Sequence, residues 1–163
     1  MTQPLACTQH DHNHCIEQAI SDAKQLCQAN GARLTDLRLQ VLKLIWQSHK
    51  PLGAYTLMDM LAEENTRRVA PPTVYRALDF LLEHKLVHRI NCLNAFMGCP
   101  SPGKPHANHF LICEACGIAS ECQSPILEQS LSQAASEQGF TITSQSVEIV
   151  GLCSCCQTAQ EAK

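Results

Sequence analysis

Apolar residues recur at helical spacing through the first half of the chain. The first run begins at Ile16 and continues through Ile20, Ala23 and Cys27, and Asn30-Gly31 then offers a left-handed stop. Thr35 is placed to cap a second helix that carries Leu37, Val41, Leu44 and Ile45 on one face. Pro51-Leu52-Gly53 interrupts the chain before a third helix with Ala54, Leu57, Met58 and Leu61. Pro71-Pro72 opens a fourth, whose buried stripe is Val74, Leu78, Leu81 and Leu82. The period then changes: Leu86–Ile90 and Ala95–Cys99 are short extended runs around the polar Asn91–Asn94, which predicts a hairpin. Helices followed by a hairpin fit a winged helix-turn-helix, whereas the helix pattern alone could equally be a small bundle.

Pro100-Ser-Pro-Gly-Lys-Pro105 has the composition of a linker. Beyond it, His109–Cys113, Ile118–Glu121 and Phe140–Val150 read as strands, with a helix opened by Ser124-Pro125 and stopped at Gly139. The expected fold class is α+β: an N-terminal winged helix-turn-helix followed by a small α/β unit. The expected boundaries are a His/Cys-rich tail over 1–15, a winged-helix domain over 16–97, a hinge over 98–107, a second module over 108–156 and a tail over 157–163. A second module of about fifty residues buries little core alone, so it needs a metal staple, a second copy, or both.

Charge sharpens this division. The whole chain carries −3, but residues 1–97 sum to +1 and residues 98–163 to −4. Two modules with different partners fit that asymmetry, and the mildly basic first half permits DNA binding without demanding it. No apolar run reaches the length of a membrane span, and Met1–Thr8 resembles no secretory signal, so a cytoplasmic address is expected. There the eleven cysteines stay reduced, which turns attention to metals rather than disulfides.

Two Cys-x-x-Cys knuckles, Cys113/Cys116 and Cys153/Cys156, dominate the candidate chemistry. A tight turn presents two sulfurs, and two such turns supply the four thiolates of a tetrahedral structural Zn²⁺. Cys155 makes the second register ambiguous, and the x₂ spacing selects Cys153 and Cys156. Catalysis by a dithiol would need the knuckle at the head of a helix in a βαβ unit. Here Cys116-Gly117 leads into a short strand, so no enzyme activity is expected.

On the fourth helix, Arg76 lies opposite the Val74/Leu78/Leu81 stripe, and Thr73 is on its exposed side. Side chains so placed can enter a major groove. The stretch Pro71-Pro72-Thr73-Val74-Tyr75-Arg76-Ala77-Leu78-Asp79-Phe80-Leu81 resembles the recognition helix of the ferric uptake regulator family, most closely its zinc uptake regulator (Zur) branch. The resemblance runs from about residue 16 to 156. It includes Arg33-Leu34-Thr35-x-x-Arg38-x-x-Val41-Leu42, Ala54-Tyr55, His88 and both knuckles.

The resemblance implies a dimeric, metal-activated DNA-binding repressor, with 16–97 as its winged-helix DNA-binding domain, 108–156 as a small α/β, zinc-stapled dimerisation domain, and Tyr55 and Arg76 as DNA contacts. It also implies a second, regulatory zinc site at His88, Cys99, His106 and Glu121, a donor set that suits tetrahedral zinc. His109 is the nearest substitute for His106, but it begins an apolar strand, so His106 is preferred. The expected function is therefore a zinc-responsive repressor that binds operator DNA as a zinc-loaded homodimer and controls zinc-uptake genes, with two Zn²⁺ per chain. An iron, manganese or peroxide sensor is the alternative within the family, and Cys99 opposes it because a thiolate disfavours Mn²⁺ and, less sharply, Fe²⁺. A zinc-stapled interaction module without DNA is a third reading, opposed by Tyr55, Thr73 and Arg76.

Overall fold

The computed structural model describes residues 12–48, 50–65, 68–104, 106 and 108–161. The chain divides into two compact units, Met1–Lys104 and Pro105–Lys163. Among the described residues, no helix is long and apolar enough to cross a membrane.

The first unit opens with α1 (His12–Ala29) and α2 (Asp36–Gln47), followed by β1 (Leu52–Gly53), α3 (Ala54–Glu64) and α4 (Pro71–Glu83). It closes with β2 (Val87–Ile90) and β3 (Ala95–Gly98). Gly31, at φ +65°, ends α1 while Ala32 N–H reaches back to Cys27 O at 2.8 Å. That conformation costs glycine little and other residues more. The Thr35 hydroxyl then accepts from Arg38 N–H at 3.5 Å and starts α2. Val41, Leu42, Leu44 and Ile45 put α2 at the centre of the core, together with Ala23, Leu57, Leu61, Val74, Leu78 and Leu81. Burying each large aliphatic side chain contributes about 1.5–3 kcal/mol, so this core alone fixes the pose of α4. The strands pair antiparallel in the order β1-β3-β2, with Val87 opposite Gly98 and Ile90 opposite Ala95. Helices and hairpin together make the winged helix-turn-helix.

The second unit holds β4 (Asn108–Cys113), β5 (Ala119–Glu121), α5 (Pro125–Glu137), β6 (Ser146–Gly151) and α6 (Ser154–Glu161). Its sheet has the order β5-β4-β6; β5 lies antiparallel to β4, and β6 lies parallel to it. A parallel neighbour needs a crossover, and α5 supplies it. No α5 side chain is buried, and Ile126, Phe140, Ile149 and Val150 stand exposed on this unit.

Four differences from the sequence expectation stand out. Helix α1 begins at His12, inside the span read as tail; Cys7 and His10 lie outside the described residues. Strand β6 begins at Ser146 rather than Phe140, because only Ser146–Gly151 find partners on β4, and strand propensity without a partner does not make a strand. Helix α6 continues past Cys156 to Glu161, into the span read as tail. Within the expected hinge, residues up to Lys104 group with the first unit, where Gly103 packs on Leu26.

Candidate metal centres and nucleic-acid interface

The parallel pairing of β4 and β6 brings the two knuckles together. Cys113 ends β4 opposite Gly151, the last residue of β6, so Cys153 follows two residues beyond. Glu114 N–H donates to Gly151 O at 2.9 Å and fixes the first knuckle against that strand end. Gly117, at φ +73°, turns its N–H back to Cys113 O at 2.8 Å and closes the turn. Cys153 sits at the head of α6, where Cys156 N–H donates to its carbonyl at 2.9 Å. The sulfurs of Cys113, Cys116, Cys153 and Cys156 all lie within 4.8 Å of one another. The Cys116–Cys153 Sγ separation of 3.8 Å equals the edge of a tetrahedron whose Zn–S bonds are about 2.3 Å. The donor set therefore fits a closed zinc site. Cys155 is exposed and outside the cluster, since one turn of α6 carries Cys156 back toward Cys153 and turns Cys155 away.

The four thiols differ sharply in their surroundings. Cys113 is held down to about 6, chiefly because Cys153 N–H donates to its sulfur at 3.4 Å, with Cys116 N–H adding to the effect. Cys156 is pushed up to about 12, first by its hydrogen bond with Cys153 and then by burial. Cys116 also rises: the Ile118 N–H pulls it down, but the interaction with Cys113, burial and Cys153 outweigh that pull. The surroundings thus favour the thiolate at Cys113 and the protonated thiol at Cys116 and Cys156.

The residues read as a regulatory site fall into two pairs, one per unit. In the first unit, His88 on β2 and Cys99 just past β3 are both buried, and their ligand atoms lie within 4.8 Å. Cys99 N–H donates to Leu86 O at 3.0 Å and continues the β2–β3 ladder to the thiol. In the second unit, His106 Nε2 lies 3.3 Å from a Glu121 carboxylate oxygen. Burial raises the Glu121 pKa, and the neighbouring His106 offsets part of that rise. His109 is fully buried on β4 and belongs to neither cluster of close donors.

The exposed face of α4 is built by the core behind it. With Val74, Ala77, Leu78, Phe80 and Leu81 turned inward, Thr73, Tyr75, Arg76 and Asp79 face outward. Tyr55, at the start of α3, is 76% exposed. Tyr75 is 43% exposed beside Arg76 and was not singled out from the sequence; the helical stripe alone assigns it to the outer face. Arg38 turns inward instead: its guanidinium carbon lies 3.7 Å from the Phe80 ring centroid, and Nη1 donates to Arg33 O. At the wing, Arg89 Nη2 donates to Asn94 Oδ1 at 2.9 Å across the hairpin turn.

These features agree with what the chain is similar to. The family model for the ferric uptake regulator family matches residues 29–150. The zinc uptake regulation protein of Escherichia coli (strain K12) is 35% identical over 141 residues, 86% of this chain and 82% of that protein. A solved zinc uptake regulator, complexed with zinc and DNA, superimposes with a TM-score of 0.83 at 33% identity, covering 90% of this chain and 97% of that one. The crystal structure of holo XcZur gives a TM-score of 0.77 at 38% identity, covering 86% of this chain and 98% of that one. On the extent of these matches and the fold they share, the chain belongs to the ferric uptake regulator family.

Proposed function

We propose that this protein is a zinc-responsive transcriptional repressor, which binds operator DNA as a zinc-loaded homodimer and controls zinc-uptake genes. It is a binding regulator acting on DNA in the cytoplasm, not an enzyme. Each chain carries two zinc ions: a structural one on Cys113, Cys116, Cys153 and Cys156, and a regulatory one on His88, Cys99, His106 and Glu121. The observation that carries the reading is the pairing of a buried thiol, Cys99, with His88 at the end of the wing. A soft donor at the sensing site favours zinc over the harder manganese ion and, to a smaller degree, over ferrous iron. The likeness to the zinc uptake regulation protein supports the same choice.

The remaining roles follow from the two units. Thr73 and Arg76 on α4 reach base edges or phosphates, and Tyr55 on α3 covers the neighbouring backbone. Apolar residues left bare on the second unit, Ile126, Phe140 and, on the two sides of the edge strand β6, Ile149 and Val150, are surface that a second copy would cover. A dimer that places two recognition helices about 34–36 Å apart meets successive major grooves on one side of the duplex. Ligands from both units would join through the regulatory ion, which favours one mutual arrangement by coordinating better there. Linkage then requires operator DNA to tighten zinc binding by the same factor that zinc tightens DNA binding.

Metal analysis and a gel shift test this together. Purified protein should hold two zinc ions per chain, one of them removed by mild chelation. Removal should abolish the shift, and zinc, but not Mn²⁺ or Fe²⁺, should restore it. A shift that survives chelation, or returns equally with manganese or iron, overturns the zinc reading.

A further inference from the structure

The single tryptophan of the chain lies on the glycine that precedes Cys99. A β-carbon built on Gly98 would stand 2.3 Å from Trp46 Cε2, 2.4 Å from Nε1 and 2.7 Å from Cζ2. Carbon atoms not bonded to one another approach no closer than about 3.5 Å at their optimum, so the indole fills the room a side chain would need. Gly98 is not among the residues at positive φ. Space, not backbone conformation, is therefore what this position demands. The contact joins two elements with separate tasks. Trp46 is near the C-terminal end of α2, half-buried against the core, and the preceding turns of α2 supply Val41, Leu42, Leu44 and Ile45 behind α4. Gly98 ends β3, paired with Val87, and the next peptide N–H is held by Leu86 O. The Cys99 main chain is thus held by Leu86, just before β2, through a hydrogen bond and by α2 through the indole one residue earlier.

We propose that Trp46 and Gly98 form a matched pair that positions the Cys99 thiol for the regulatory metal, and that Trp46 reports and transmits metal binding to α2. The proposal rests on the reading of Cys99 as a regulatory ligand. A Zn–S bond tolerates only a few tenths of an ångström about 2.3 Å, so a shift of the Cys99 backbone is felt directly in affinity. Groups that hold a ligand without touching the metal typically change affinity about 10- to 100-fold when altered. Glycine has no side chain and an indole N–H only donates, so Trp46 and Gly98 supply no ligand to the proposed site; they are positioning residues.

The experiment uses zinc alone as ligand, with three variants and the wild type. Wild-type tryptophan emission should change as the labile zinc site fills and then saturate, and Cys99→Ser should abolish that change. Gly98→Ala should weaken the labile zinc about 10- to 100-fold by chelator competition. Its tightly held zinc, dimer mass and circular dichroism should stay as in the wild type. Adding Trp46→Leu to Gly98→Ala trims the ring that the new methyl strikes and should recover most of the lost affinity. The tight zinc belongs to the other unit, so it is the unchanged circular dichroism and thermal unfolding of Gly98→Ala that separate mispositioning from a clash that unfolds the first unit. Two zinc ions retained in Cys99→Ser overturn the site reading itself. One zinc lost in Cys99→Ser, with Gly98→Ala titrating as wild type or with emission indifferent to zinc, overturns the pair alone. If Gly98→Ala does not fold, the double variant decides: a folded protein with near-wild-type zinc affinity supports the pair, and one that is still unfolded overturns it.

Discussion

Arg76→Ala tests the nucleic-acid reading most directly, because the structure separates its effect on binding from its effect on stability. Arg76 is exposed on α4, opposite the side chains that fix that helix to the core. Removing it should therefore change folding stability by no more than about 0.5 kcal/mol. In the complex, a lost base contact costs about 1–3 kcal/mol. A symmetric dimer loses the contact in both half-sites, about 2–6 kcal/mol in all. At 1.4 kcal/mol per decade, that is a drop in operator affinity of about 30-fold to about 2 × 10⁴-fold. The assay is fluorescence anisotropy on a labelled operator at constant zinc, with salt varied from about 50 to about 200 mM. A base contact should show as a loss that depends on operator sequence. A phosphate contact should show as a uniform loss, with the salt slope reduced by about one per subunit. Arg76→Lys keeps the charge but not the planar fork, so it should rescue the second kind of contact and not the first. Unchanged affinity at every salt concentration, in a protein that keeps its zinc and its dimer, would refute the placement of α4 in the groove.

Three further outcomes are expected. Cys99→Ser should stay a folded dimer, hold about one zinc per chain and give no operator shift however much zinc is added, because a hydroxyl stays protonated where a thiolate would ligate; equilibrium dialysis and gel shift check it. Cys113→Ser should lose the tight zinc and the dimer together, since a structural site contributes folding free energy, and a stable metal-free dimer in sedimentation would count against it. Zinc loading of the stripped protein near neutral pH should release at least two protons per structural site, because Cys116 and Cys156 are both held above the ordinary thiol value. Affinity should therefore fall as pH falls, which a pH-indicator titration in weak buffer reads out.

The first unit was largely legible in the sequence because its signals are local. Thr35, Gly31 and Pro71-Pro72 mark helix ends by their own chemistry, and the Val74/Leu78/Leu81 stripe orients α4 without reference to the rest of the chain. What escaped depends on partners distant in sequence. Thr141-Ile142-Thr143 has strand composition, yet the described strand begins only at Ser146, where β4 offers a ladder. The two-residue β1 exists because Leu52 and Gly53 meet Phe96 and Ala95, which no short window reveals. The knuckles were legible as ligand spacing, but their convergence needs β6 to run parallel to β4, a fact of topology rather than composition. The close seating of Trp46 on Gly98 was likewise hidden, since a glycine at the end of a strand reads first as a turn.

The parallel register of β4 and β6 carries a consequence for how the chain proofreads itself. A slip of one residue along β6 would turn its side chains to the opposite faces and move the strand end by about 3.3 Å. That shift is nearly the whole 3.8 Å separating Cys116 Sγ from Cys153 Sγ, so a slipped strand could not close four sulfurs around one ion. At the proposed structural site, metal capture would then act as a checkpoint, closing around one pairing and leaving its neighbours unsealed. Chains made during severe zinc starvation would then include mispaired species open to proteolysis, and the abundance of the regulator, as well as its occupancy, would follow the metal supply.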